Sequence, residues 1–192
     1  MRPLALLPHP LKLVAVGTVD TDLLDWLGAE LDMRYGTRTR VGGVLRLCEE
    51  WLDPARRQVS SNPVVDALVE LLGARATTEA AWLLGVTEAD LHAPEREWVF
   101  GEATVGGGCA VISTARLRPS AQRAVLEPSL FRTRVLKEAV HELGHAAGIE
   151  HCQTRDCVMA ESYDVDDVDR KGTEFCGICT ALLRRLQPSS RG

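Results

Sequence analysis

The stretch His141-Glu142-Leu143-Gly144-His145-Ala146-Ala147-Gly148-Ile149-Glu150-His151-Cys152 holds three of the chain's five histidines, at spacings that restrict how the backbone can run. Residues four apart share a helix face, so His141 and His145 can offer ring nitrogens to one cation. Glu142 stands beside that point, where a carboxylate can take a proton from water. Gly148 tolerates a positive φ, which ends the helix and lets the chain double back to deliver His151. Three neutral nitrogen donors with a fourth position left for water describe a catalytic zinc centre, not a closed structural one. The competing reading is a solvated helix end carrying histidines by chance. A bare HExxH is weak evidence; the glycine and the third histidine in register give it weight.

A second constellation follows at once. Cys152 and Cys157 enclose four residues, and Cys176-Gly177-Ile178-Cys179 is a CxxC pair. Thiolates in short-spaced couples are the usual ligands of a tetrahedral structural zinc. A redox CxxC and two disulfides are the alternatives. The first calls for a thioredoxin-like unit, which is not visible, and the second for an oxidising compartment. Because Cys152 directly follows His151, the two metal centres are expected to be neighbours, the sulfur one fixing the backbone that delivers the third histidine. Met159 suits a tight turn beneath the histidines, its thioether forming a hydrophobic floor without coordinating. Tyr163 is a candidate to reach the cleft and hydrogen-bond a developing oxyanion, with a core or surface tyrosine as the plainer reading. Asp164, Asp166, Asp167 and Asp169 read as a solvated acidic loop, since the Gly and Glu of an EF-hand loop are missing.

At 192 residues and 45% hydrophobic content, one domain with an ordinary core is expected. Its N-terminal α/β part spans 1–148 and includes the active-site helix, and a small C-terminal lobe spans 149–187. A net charge of −5 without a basic run argues against nucleic acid. No apolar run reaches the roughly 20 residues that cross a bilayer. Residues 1–10, broken by prolines, do not read as a signal peptide, so a monomer in the reducing cytoplasm is expected.

Upstream of the histidines, Leu11 to Gly17 predicts a buried strand. Asp20 or Thr21 then caps a helix carrying Leu23, Leu24, Trp26, Leu27 and Leu31 as far as Tyr35-Gly36. Thr37 to Leu47 predicts a second strand kinked at Gly42-Gly43. Cys48 reads as a lone buried cysteine, and the stretch to Gln58 as an irregular connection anchored by Trp51 and Leu52. A helix begins at Ser61-Asn62-Pro63, with Pro63 at its first position, turns Val64, Val65, Leu68, Leu71 and Leu72 inward, and stops at Gly73. Ala80 to Val86 predicts a third strand, and Thr87 to His92 a turn or short helix, with His92 at the surface. Trp98 to Ala103 and Cys109 to Thr114 predict a hairpin around Gly106-Gly107-Gly108, a triplet without the lysine of a P-loop. At a sheet edge such a hairpin can bind an extended peptide as an added strand; plain packing on the core is the alternative. Pro119 to Glu127 reads as a polar, charged connection with room for a helical turn, and Thr180 to Leu186 as a short amphipathic helix. From Ser129, read as a cap, a broad apolar face predicts the helix that carries His141 and His145. Arg134 and Glu138 fall near the histidines' face and read as a solvated ion pair, or else as groups behind the ligands.

Taken together, His141-Glu142-x-x-His145-x-x-Gly148-x-x-His151-Cys152, Cys157-x-Met159 and Cys176-x-x-Cys179 resemble the archaemetzincin family of zinc peptidases. The resemblance is dense over about residues 130–180. It is looser over Leu84-Gly85-Val86-Thr87-x-x-Asp90-Leu91 and over Val99-Phe100-Gly101-Glu102-Ala103 with Val111-Ile112-Ser113-Thr114-x-Arg116-Leu117. Sixteen residues separate Met159 from Cys176, one fewer than the family's pattern, a loop change too small to endanger the second zinc. The resemblance implies a compact metzincin-like α/β fold: a mixed twisted sheet of about four or five strands, a backing helix, an active-site helix and a small zinc-stapled C-terminal lobe. It implies two Zn2+ per chain, one catalytic on His141, His145 and His151 and one structural on Cys152, Cys157, Cys176 and Cys179. The reaction expected is peptide hydrolysis with Glu142 as general base. A zinc-stabilised binding module without activity and a non-peptide amidohydrolase are the alternatives.

Overall fold

The computed structural model describes residues 10–73 and 82–186. The expectations for the N-terminal run, for Ala80 and for the tail from Gln187 lie outside the described residues.

Strand β1 (Leu11–Val16) sends Leu11, Leu13 and Ala15 to one side and Val14 and Val16 to the other, as a central strand covered on both faces must. Helix α1 (Thr21–Tyr35) is capped by Asp20, whose carboxylate accepts from the Asp22 N–H, and stops at Gly36 with φ 67°. Strand β2 (Arg40–Leu45) lies parallel to β1 with a bulge at Gly42-Gly43, between the pairs Leu13 with Val41 and Ala15 with Val44. Cys48 is exposed, not buried. It follows the solvent-facing edge strand and begins a short 3-10 turn, Glu49–Trp51, so no layer covers it.

The connection beyond is ordered rather than irregular. Strand β3 (Leu52–Asp53) pairs antiparallel with β4 (Gln58–Ser60). Trp51 packs partly on the core, but Leu52 is 47% exposed and anchors nothing. Helix α2 (Ser61–Gly73) buries Val64, Val65 and Leu68, with Leu71 and Leu72 partly covered and Pro63 its third residue. Strand β5 (Trp82–Thr87) is followed by the expected turn, a bend at Glu88-Ala89, and then by β6 (Leu91–Ala93), which takes up the last residues of that stretch and holds His92 half-buried. Next come β7 (Arg96–Val99), β8 (Gly101–Ala103) and β9 (Cys109–Ser113). The hairpin proper is β8 with β9; Trp98 and Val99 belong to a second sheet. Four helices complete the described residues: α3 (Ala121–Leu126), α4 (Leu130–Ala146), α5 (Val165–Arg170) and α6 (Gly177–Leu186).

The main sheet has the order β2-β1-β5-β9-β8, all parallel except β8. This is the mixed sheet of the expectation. The small sheet β3-β4-β6-β7 was not expected, because strands of two to four residues carry too little periodicity to be read. On one face of the main sheet, Leu84, Val86, Ala110 and Ile112 pack with α1 and α4; on the other, Leu83, Cys109 and Val111 pack with α2. The result is three layers, with α4 laid beneath β9 and β8. That placement brings the histidine helix to an unpaired sheet edge.

A candidate metal centre at the end of α4

Helix α4 is buried along almost its whole length. Ser129 makes no side-chain cap. Arg134 and Glu138 are each only 2% exposed, so the solvated ion pair expected there does not exist. Instead Arg134 grips both carboxylate oxygens of Asp169 at 2.7 Å and donates to the Leu117 carbonyl at 3.0 Å. Lys137 donates to the carbonyls of Val168 and Asp169 at the end of α5. Glu138 Oε1 lies 2.8 Å from Lys171 Nζ. The acidic stretch is therefore a helix and not a loop. Asp164 caps α5, Asp167 pairs with Arg170 and accepts from the Tyr163 N–H, and Asp169 joins Arg134.

At the other end, Gly148 has φ 96°, and the Ile149 N–H bonds the Gly144 carbonyl while the Gly148 N–H bonds that of His145. This is the left-handed stop that turns the chain back. The glycine-rich hairpin loop completes it. The Gly106 N–H reaches the His145 carbonyl at 3.1 Å, and the Gly108 N–H that of Ala146 at 3.3 Å. The triplet thus closes a helix end, satisfying carbonyls that no helical N–H can reach.

Ligand nitrogens of His141, His145 and His151 lie within 4.8 Å of one another. His141 Nδ1 faces the Val158 carbonyl at 2.8 Å and His145 Nδ1 the Ile149 carbonyl at 2.7 Å. Both protons are thereby assigned to Nδ1, which leaves two Nε2 lone pairs facing each other across 3.1 Å. Such a pair is repulsive alone and suited to a shared cation. A tetrahedral zinc with Zn–N of about 2.0 Å would set its nitrogens about 3.3 Å apart. Burial, and then the Lys171 ammonium, holds the His141 pKa well below the usual imidazole range; burial lowers His145 and His151 too. Each shift favours the neutral imidazole that ligation requires.

Glu142 is buried beside them, and burial foremost, then Glu138, pushes its pKa well above the ordinary carboxyl value. Its methylene and carboxyl carbons occupy the space a Cβ on Gly101 would take, at 2.6 and 2.8 Å. Gly101 in β8 therefore lets the edge strand approach the glutamate. Both line a cleft of about 300 Å³, walled also by Trp98, Phe100, the rest of β8, the three histidines, Glu138 and, on the far lip, Glu161 to Tyr163. Met159 is fully buried, and a methyl group at Gly144 would overlap its Sδ, so the thioether packs directly against α4. Tyr163 reaches the cleft, with its hydroxyl donating to Glu161 Oε2 at 2.8 Å. His92 does not line it.

The sulfur atoms of Cys152, Cys157, Cys176 and Cys179 also lie within 4.8 Å of one another, and none forms a disulfide. Cys152 Sγ and Cys176 Sγ are 3.8 Å apart, the edge of a tetrahedron with Zn–S of about 2.3 Å. The Cys179 N–H foremost draws the Cys176 thiol down to about 6, whereas burial raises Cys157 and Cys179. Four sulfurs at this spacing fit a dication that lets all of them ionise. The Cys152 N–H bonds the Met159 carbonyl at 2.9 Å, joining this cluster to the turn beneath the histidines.

All seven expected ligand residues are thus gathered into two groups. Lys171, Glu161, Arg96 and Gly101 escaped sequence reading. None stands at ligand spacing, although Glu161 is only two residues beyond Met159.

Comparison with known proteins agrees. The model of peptidase family M54 matches residues 36–185. The archaemetzincin of Methanopyrus kandleri is 40% identical over 140 residues, 73% of this chain and 74% of that protein. A crystal structure of archaemetzincin from the same organism superposes with a TM-score of 0.77 at 33% identity, over 93% of this chain and 95% of that one. The crystal structure of a zinc-dependent peptidase from Methanocorpusculum labreanum gives a TM-score of 0.79 at 26% identity, over 91% and 100% of the two chains. By family match, sequence and fold alike, the chain belongs to peptidase family M54, among the archaemetzincins.

Proposed function

We propose that the protein is a zinc-dependent peptidase that hydrolyses peptide bonds, with His141, His145 and His151 holding the catalytic zinc and the four cysteines a structural one. The single observation that carries this reading is the pair of Nε2 lone pairs facing each other beside a buried Glu142 in an open cleft. A zinc ion on these nitrogens supplies Lewis acidity, bringing the pKa of water towards about 7 and polarising a carbonyl.

The chain's own residues do the rest. A Glu142 carboxylate oxygen takes a proton from the attacking water and returns it to the leaving amine, so that water adds across the C–N bond. Burial favours a protonated Glu142, and a nearby dication works the other way, so the group is suited to both halves of the transfer. The free edge of β8 holds the peptide extended by backbone hydrogen bonds, with Trp98 and Phe100 forming the apolar wall. Tyr163 lines the far lip, and in this reading its hydroxyl turns from Glu161 to the oxyanion. Met159 supports the histidine helix from below. Four reduced cysteines fit a reducing cytoplasm.

The test is Glu142→Gln. It removes the base and keeps every ligand, so two zinc ions per chain should remain while hydrolysis of a peptide library falls to background. Hydrolysis equal to the parent's would overturn the assignment. Turnover confined to non-peptide amides would favour an amidohydrolase, and zinc-dependent stability without any turnover a binding module.

A further inference from the structure

The three histidines are not held alike. His141 and His145 each direct Nδ1 at a backbone carbonyl at hydrogen-bonding distance. His151 is the outermost ring, with its side chain 41% exposed, and among the described residues its Nδ1 makes no such hydrogen bond. It faces Glu161, whose Oε2 is 3.9 Å away. That spacing is beyond direct hydrogen-bonding distance, so the carboxylate acts on the neutral ring through its field.

Glu161 is itself held in place. Its Oε2 accepts from the Tyr163 hydroxyl at 2.8 Å, and its Oε1 from an Arg96 N–H at 2.5 Å. Arg96 also lies over the Tyr163 ring, 5.1 Å from its centre. Arg96 begins β7, the strand that continues through Trp98 and Phe100 into β8. Glu161 and Tyr163 belong to the opposite lip, beyond Met159. The Arg96–Glu161 pair thus spans the cleft, linking the lip that would hold substrate to the carboxylate behind the third histidine.

We infer that Glu161 is a positioning residue: its carboxylate orients the His151 ring for the metal, and Arg96 holds that carboxylate from across the cleft. A carboxylate behind a metal-binding imidazole fixes the ring and strengthens its donation, and removing such a partner weakens metal binding about 10- to 100-fold. The pair's exposure separates this role from a structural one. Side chains that are 43% and 29% exposed contribute little to stability as an ion pair, so the effect belongs in metal affinity and not in folding.

This inference rests on the reading of the three histidines as zinc ligands, and the test keeps the two apart. Zinc affinity is measured by competition with a chelator on the full chain for the parent, His151→Ala, Glu161→Gln, Glu161→Ala, Arg96→Met and the Arg96→Met/Glu161→Ala double variant, with thermal unfolding in excess zinc alongside. His151→Ala calibrates which of the two metals responds. The expected result is about 10- to 100-fold weaker binding of that same metal in Glu161→Ala and a smaller loss in Glu161→Gln and Arg96→Met. The double variant should be no worse than Glu161→Ala alone, because Arg96 acts through Glu161. Unfolding temperatures in excess zinc should stay at the parent's. If His151→Ala weakens the metal and Glu161→Ala leaves it within twofold of the parent, the inference falls while the ligand reading stands. If His151→Ala itself has no effect, both fall.

Discussion

Lys171 Nζ lies 2.8 Å from Glu138 Oε1 with both side chains almost wholly buried, and the same ammonium sits 3.3 Å from His141 Nδ1. The Glu138 oxygen has no directed hydrogen bond, so charge alone holds it. Since Lys171 also closes α5, through its N–H to the Asp167 carbonyl, the pair clamps the chain after Met159 onto the histidine helix.

Removing one partner of a buried ion pair leaves the other uncompensated. Lys171→Met should therefore destabilise the fold by about 3–5 kcal/mol, and Lys171→Met/Glu138→Leu should recover much of that loss. Urea unfolding of the three proteins at one zinc concentration checks it. A double variant no more stable than the single one would mean that shape, and not charge, holds the two segments together.

Gly101→Ala should impair hydrolysis without emptying either metal centre. The added methyl would meet Glu142 and the Val111 carbonyl oxygen at 2.6 Å, and the backbone oxygen cannot swing aside. Overpacking of about 1–3 kcal/mol felt at Glu142 in the transition state corresponds to a roughly 5- to 150-fold fall in kcat/KM. Zinc content by elemental analysis together with peptide kinetics is the measurement, and unchanged kinetics would show that the strand can retreat.

Asp169 gives the protein an acid-sensitive fastening. The Arg134 hydrogen bonds foremost, opposed by burial and helped by Arg123, hold its pKa below the ordinary aspartate value. The unfolded chain then binds more protons than the folded one in this range, so stability falls as pH falls. The contribution is complete above the unfolded value of about 4 and is lost as pH descends through the lower folded value. Asp169→Asn should be less stable than the parent at pH 7, and the gap should narrow towards pH 3. A gap that stays constant in urea titrations across that range would exclude a titrating pair.

Cys179→Ser should lower zinc stoichiometry from two to one and also weaken the remaining ion. Cys152 adjoins His151, and its N–H bonds the Met159 carbonyl, so loosening the sulfur cluster moves the third histidine and the turn beneath it. Chelator competition reports the second effect. Loss of one zinc with undiminished affinity for the other would show the centres to be independent.

Much of this was legible in the chain. Histidines, glycine and cysteines at fixed offsets are local patterns, and local patterns survive without knowledge of the fold. The α1 cap at Asp20, its stop at Gly36 and the β2 bulge at Gly42-Gly43 are local in the same way. What was missed depends on distant partners. Arg134 and Glu138 look like solvent-facing residues until Asp169 and Lys171 arrive from 35 and 33 positions away to cover and pair them. Cys48 looks like a core residue until the strand before it proves to be the sheet's outer edge. Glu161 and Arg96 are 65 positions apart and carry no shared pattern.

The brevity of β8 carries its own implication. Three residues at about 3.4 Å each present only about 10 Å of unpaired main chain. If β8 holds the peptide as proposed, so short a template registers just a handful of its atoms and asks little uncoiling of its guest. A frayed terminus or a protruding loop would suffice, and discrimination must then come from the few side chains that flank the cut.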